Sequence, residues 1–204
     1  WAHAAAYLPI KNFRYSLPDK ASVRDGFLRK GWTKDRQLMK NILRRIAAEG
    51  ALSSRDFEDS RKNKTGWWDW KPAKRAIEAL YLEGDLMISS RKNFQKTYDL
   101  TERVLPKGIN RKMPSTKAWA QHLIQEQFAC HGIVQLKGIA YGRKDANLRQ
   151  QIKTLVAAKI ASKDLIPLTL PNGAEYLAPA DFLDRPLPSA DENLKILSPY
   201  DNLV

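Results

Sequence analysis

The stretch from Gly66 to Pro106 concentrates the side chains best suited to chemistry with another molecule. It opens Gly66-Trp67-Trp68-Asp69-Trp70-Lys71-Pro72 and runs through a basic amphipathic segment. It closes on Tyr98-Asp99-Leu100-Thr101-Glu102-Arg103-Val104-Leu105-Pro106. Three tryptophans within four residues are costly to leave in water, and a dense set of cations surrounds them. Flat aromatic surface interleaved with cations matches a phosphate backbone and exposed bases. The candidate DNA-contacting residues are Arg61, Lys62 and Lys64 in the preceding loop, Trp67 and Trp68, then Lys71, Lys74 and Arg75, and further on Arg91, Lys92 and Lys96. Trp70 and one of Trp67 and Trp68 are expected in packing, the other on the DNA-facing surface.

Other reactive side chains make weaker cases. Cys130 and His131 are neighbours and would point apart on a helix, which disfavours a nucleophile–base pair. Asp69 and Glu78 are expected to hold Lys71, Lys74 or Arg75 in place through local ion pairs. Gln125-Glu126-Gln127 reads as a solvated helix face. No cluster has the spacing of zinc ligands, so no metal is expected.

Charge points the same way. The 204 residues carry a net charge of +13. Residues 1–112 hold 25 Lys/Arg against 13 Asp/Glu, whereas residues 113–204 hold 10 against 9. The positive field therefore belongs to the first half, and a polyanion is the simplest partner, nucleic acid ahead of an acidic membrane. A basic surface without function is the alternative. With 43% hydrophobic residues the chain can bury a core. Cys130 is its single cysteine, which fits an intracellular protein without disulfides. No apolar run reaches membrane-spanning length, and no signal peptide is visible. Both ends read as internal to something longer.

These residues need elements to position them. Leu38, Met39, Ile42, Leu43 and Ile46 recur at three- and four-residue spacing and predict a helix over 35–48, stopped by Gly50. Ser53 or Ser54 caps a short helix over 55–59. Pro72 suits the first turn of a helix that runs to Glu83, with Gly84 past its end. Ala73, Ile77, Leu80 and Tyr81 then face inward, opposite Lys71, Lys74, Arg75 and Glu78. A strand over 86–88, a polar turn over 90–93 and a returning strand over 94–100 complete the unit. Helix, short helix, helix, hairpin is the order of a winged helix-turn-helix.

The same order returns in the second half. Ser115 caps a helix to about Cys130, and 132–142 is a connector. A helix over 145–158 buries Leu148, Ile152 and Leu155. A second hairpin turns at Pro171-Asn172-Gly173. The expected fold class is mostly α with small β-hairpins (α+β), as tandem winged helix-turn-helix domains. The expected division is a helical lead-in at 1–33, a winged helix at 34–106, a second winged-helix-like domain at 107–180 and a linker at 181–204.

Four blocks then form one pattern: Trp1-Ala2-His3-Ala4-Ala5, Gly66-Trp67-Trp68-Asp69-Trp70-Lys71-Pro72, Asn93-Phe94 with 98–106, and Leu197-Ser198-Pro199-Tyr200-Asp201. They resemble the bacterial winged-helix DNA glycosylases of the AlkZ/YcaQ type, in order and spacing, over essentially the whole chain. The resemblance implies base excision repair of alkylation damage by a monofunctional hydrolase. Such an enzyme cleaves the N-glycosidic bond of an alkylated base and unhooks interstrand crosslinks. It implies double-stranded DNA as partner, no cofactor, a monomer, and a cytoplasmic, nucleoid-associated place in a bacterium. It also implies a catalytic Gln-x-Gln or Gln-x-Asp motif upstream of the Trp-Ala-His block. No catalytic residue is therefore expected among these 204, and His3 is the candidate neighbour of the active site. The competing readings are a winged-helix transcriptional regulator with a preferred DNA sequence, and a protein-interaction module.

Overall fold

Local signals in the sequence account for most elements of the computed structural model, which describes residues 8–26, 33–59, 70–93 and 95–186. The chain is mixed helix and sheet, in two units that divide between Met113 and Pro114.

In the first unit a 3₁₀ turn, Ile10–Ser16, runs into α1 (Leu17–Arg24). α2 (Arg36–Glu49) begins where the Leu38 amide donates to the Asp35 carboxylate at 2.9 Å, and stops at Gly50. That cap satisfies one of the orphan donors every helix start carries. Its Met39, Ile42 and Ile46 are buried. β1 (Leu52–Ser53) follows, then a single 3₁₀ turn, Ser54–Asp56, closed by reciprocal capping between Ser53 and Asp56. The short helix expected over 55–59 is only this turn, because Phe57 is already extended and buries its ring in the core.

α3 (Pro72–Glu83) has the predicted limits, and Ala73, Ile77, Leu80 and Tyr81 are buried as its spacing predicts. β2 (Leu86–Lys92) and β3 (Gln95–Leu100) form the hairpin, and α4 (Thr101–Val104) follows. The polar stretch 90–93 is mostly strand rather than turn. Arg91 pairs with Lys96 and Lys92 with Gln95, so the chain reverses only after Asn93, whose φ is 47°. Asn tolerates this left-handed conformation better than other residues with a side chain. The sheet order is β1-β3-β2, all antiparallel, with Tyr98 on the central strand between Leu52 and Ile88. Phe13, Met87 and Leu105 form a smaller buried cluster that fastens the lead-in to this unit.

The second unit contains α5 (Thr116–His131), α6 (Leu136–Ile139), α7 (Ala146–Ala161), β4 (Leu165–Thr169) and β5 (Glu175–Pro179). Ser115 and Asp145 cap the two long helices through the amides of Ala118 and Leu148. α7 buries Leu148, Ile152 and Val156, while Leu155 stays half-buried at the edge of that four-residue stripe. Val134 makes an antiparallel bridge to Leu177 on β5.

The two units match in their bonds. α3 ends with the Asp85 amide on the Leu80 carbonyl and the Gly84 amide on the Tyr81 carbonyl. α7 ends with the Asp164 amide on the Lys159 carbonyl and the Lys163 amide on the Ile160 carbonyl. Both are Schellman ends. Each following aspartate carbonyl then accepts from the far end of its hairpin, Thr101 in one unit and Ala180 in the other. Leu86 pairs with Leu100 and Ile88 with Tyr98, as Leu165 pairs with Pro179 and Pro167 with Leu177. One constant offset along the chain relates all these positions. It places Lys153 with Lys74, Ala157 with Glu78, Ile160 with Tyr81, Glu175 with Lys96 and Leu177 with Tyr98.

Candidate nucleic-acid interface

The first turns of α3 carry the expected cations. Lys71 is its N-cap residue, and its ammonium turns toward the Phe57 carbonyl at 3.5 Å. The Lys74 ammonium lies 4.1 Å from the centroid of a Trp70 ring. Trp70, expected in packing, is half-buried and also serves as a platform for a cation. A contact of this kind contributes about 0.5–1 kcal/mol at an exposed site. Arg75, the next residue, is exposed.

One turn further on, Glu78 joins helix to hairpin. Its Oε1 accepts from the Tyr98 hydroxyl at 3.1 Å and from the Lys96 ammonium at 3.4 Å. The expectation gave Glu78 partners on its own helix. The structure puts two hairpin side chains, Lys96 and Tyr98, on that carboxylate. The Tyr81 and Tyr98 rings meet edge to face at 6.0 Å. Burial, then the charge of Glu78, pushes the Tyr81 phenol up to about 12 and holds the Tyr98 phenol well above its ordinary value. The charge of Arg91 opposes both shifts, so its guanidinium also belongs to this neighbourhood. Lys74 and Arg75 on α3, Arg91 on β2 and Lys96 on β3 thus lie on a helix and a hairpin fastened together through Glu78 and Tyr98. Lys92 is exposed at the tip of the hairpin.

The expected contacts Arg61, Lys62, Lys64, Trp67 and Trp68 lie outside the described residues, as do Asp69 and His3, the candidate neighbour of the active site.

The far end of α3 is held by charges that periodicity could not reveal. Glu83 is only 4% exposed. Its carboxylate accepts from the Lys34 ammonium at 2.6 Å, and both its oxygens accept from Arg36 at 3.0 Å. Arg24 bonds the Glu83 carbonyl at 3.1 Å and the Asp85 carboxylate at 2.8 Å. Lys20, 7% exposed, donates to the Tyr81 carbonyl at 3.3 Å, and burial lowers its pKa to about 8 against the pull of Asp19 and Asp85. Cations from α1, from α2 and from Lys34 just before it therefore converge on the C-terminal end of α3, where the helix dipole favours them.

In the second unit, Gln125-Glu126-Gln127 falls in the middle of α5, with Gln125 exposed and Glu126 4.0 Å from His122. Burial lowers the His122 pKa. Cys130 and His131 are exposed at the end of the same helix. Among the described residues no three His, Cys, Asp or Glu side chains converge as a metal site requires. Among them, too, no helix is long and apolar enough to cross a membrane.

The model of the family described as "DNA glycosylase AlkZ-like" covers residues 1–204. No solved structure matches the chain.

Proposed function

The chain belongs to the AlkZ-like DNA glycosylase family, and on that premise we propose that these residues are the part of the enzyme that grips duplex DNA. Each unit is read as a winged helix, with α3 and α7 as the helices presented to DNA and the two hairpins as wings. The single observation that carries the reading is the Glu78 bridge. It ties α3, which carries Lys74 and Arg75, to the hairpin that carries Arg91 and Lys96, and we read these cations as one edge. Phosphate contacts from such an edge position a protein without reading sequence. A glycosylase that searches for damage anywhere requires that kind of grip.

The reaction served is hydrolysis of the N-glycosidic bond of an alkylated base, with unhooking of interstrand crosslinks as a further activity of the same kind. An alkylated purine leaves readily once the positive sugar of the transition state is stabilised by oriented groups. We assign no such role to Gln125 and Gln127. Residues two apart on a helix point to different sides and cannot address one atom. We place the protein in the bacterial cytoplasm, acting as a monomer on double-stranded DNA.

The test is a titration of duplex DNA against salt. Affinity falls steeply as salt rises, and selection from random sequence returns no consensus. A sharp consensus with symmetric half-sites would instead identify a transcriptional regulator.

A further inference from the structure

Resting on that DNA-gripping reading, we propose that the groove between α7 and the β4–β5 hairpin receives one unpaired base of a DNA strand. Tyr141 stacks on that base, and Lys137 and Lys153 hold the neighbouring phosphates.

The groove exists because of specific substitutions between two otherwise matched units. In the first unit the space between helix and hairpin is closed by Glu78, Tyr81, Lys96 and Tyr98. The corresponding residues of the second unit are Ala157, Ile160, Glu175 and Leu177. Two aromatic rings and a bridging carboxylate are thus replaced by shorter side chains that make no bridge of that kind. A cavity of about 1120 Å³ results, walled by Ile152, Val156 and Ile160 on α7 and by Leu168 and Leu177 on the hairpin. A pocket holding one drug-sized ligand falls at roughly 300–1,000 Å³, so a single base with its sugar fits easily.

The rim identifies the occupant. Tyr141 lines the groove and is 86% exposed, far more than a tyrosine kept for packing. Its loop is braced, since the Arg149 guanidinium donates twice to the Arg143 carbonyl, at 3.0 and 2.6 Å. Lys137, Arg149 and Lys153 all border the groove, against one acid, Glu175. Lys153 occupies the position that Lys74 holds on the DNA-facing edge of the first unit. Cations around an aromatic platform and an apolar floor match a nucleotide lifted out of its stack. A fully paired duplex presents no base face to Tyr141 and has no use for an aliphatic floor. The partner is therefore DNA in which one nucleotide is unpaired.

The test uses the 204-residue chain and two duplexes of equal length, one fully paired and one with a single bulged 2-aminopurine. The bulged duplex is expected to bind at least about fivefold more tightly, with its fluorescence quenched on binding. Tyr141→Ala, at a surface position that folding does not use, should remove most of that preference. It should change binding to the paired duplex by less than about twofold. Ile160→Tyr rebuilds part of the first unit's plug and should remove the preference too. Equal affinity for the two duplexes, or equal losses on both in the variants, overturns the proposal. So does binding of a peptide of Asp, Glu and Leu residues in the groove that leaves the affinity of both duplexes unchanged, which would make it a protein dock. Paired-duplex affinity is read in the same titration, so the grip and the groove stand or fall separately.

Discussion

The Tyr98 hydroxyl donates to Glu78 Oε1 across 3.1 Å, joining the central strand of the first sheet to the helix that precedes it. The same carboxylate holds Lys96, so one acid fixes both the hairpin against α3 and the position of a cation on it.

Removing that acid should loosen the hairpin. Glu78→Ala leaves the phenol of Tyr98, itself 4% exposed, without its acceptor. The expected loss is about 1–3 kcal/mol of stability, with weaker duplex binding. Tyr98→Phe removes only the donor and should cost about 1 kcal/mol. Denaturant midpoints check both, and equal stability of all three proteins would contradict the bridge.

Lys74 and Arg75 should act on DNA through charge. Replacing each with Ala is expected to lower affinity similarly for unrelated duplex sequences and to reduce the salt slope by about one per lost phosphate contact. Affinity measured across a salt series separates this from a folding defect, which would leave the slope of the remaining active protein unchanged. Trp70 should gain exposure to quenchers in Lys74→Ala, because the ammonium covers its ring.

The buried charges at the end of α3 predict opposite effects. Glu83→Gln leaves the Lys34 ammonium, whose side chain is 9% exposed, without its counter-charge and should cost about 3 kcal/mol or more. Lys20→Met keeps the stem, removes a charge that burial disfavours, and should raise stability near pH 7 by about 1–3 kcal/mol.

Lys20 and Tyr81 also shape the alkaline profile. The folded pKa of Lys20, about 8, lies below its unfolded 10.5, so the unfolded chain binds more protons between them and stability rises with pH across that window. The gain is about 3 kcal/mol at most. Tyr81 moves the other way. Its phenol is raised from 10 to about 12, so its contribution is complete below pH 10 and is lost as pH climbs through 12. Chemical denaturation from pH 7 to 12 should show a maximum near pH 10, and Lys20→Met should abolish the rising limb.

The two Schellman ends differ in the residue at the left-handed position. Gly84 has φ 90°, and a Cβ there would meet the Lys20 stem at 2.8 Å, so Gly84→Ala should destabilise by about 1–2 kcal/mol. Lys163 has φ 63° at the matching place on α7, so Lys163→Gly should stabilise by about 0.5–1 kcal/mol. Thermal or denaturant midpoints of the two variants should move in opposite directions.

Much of the fold is legible along the chain because its signals are local. Asp35, Ser115 and Asp145 act on amides three residues away, Pro72 and Gly84 bracket α3, and Asn172-Gly173 turns the second hairpin. The helical spacing of Ile42, Ile46, Ile77 and Leu80 states which faces are buried. The charge of the first half likewise announces a polyanion partner, since composition alone sets a net field. Packing decided the rest. That Glu78 serves the hairpin, that Lys34 and Arg36 meet Glu83, and that Lys20 is buried depend on residues far apart in sequence. The open groove of the second unit likewise follows from Leu177 standing where its counterpart is Tyr98, an equivalence visible only once strand register is known. Capping and periodicity act over a few residues and can be read from types and spacing, whereas ion pairs and cavities are set by which distant side chains the folded backbone brings within a few ångströms.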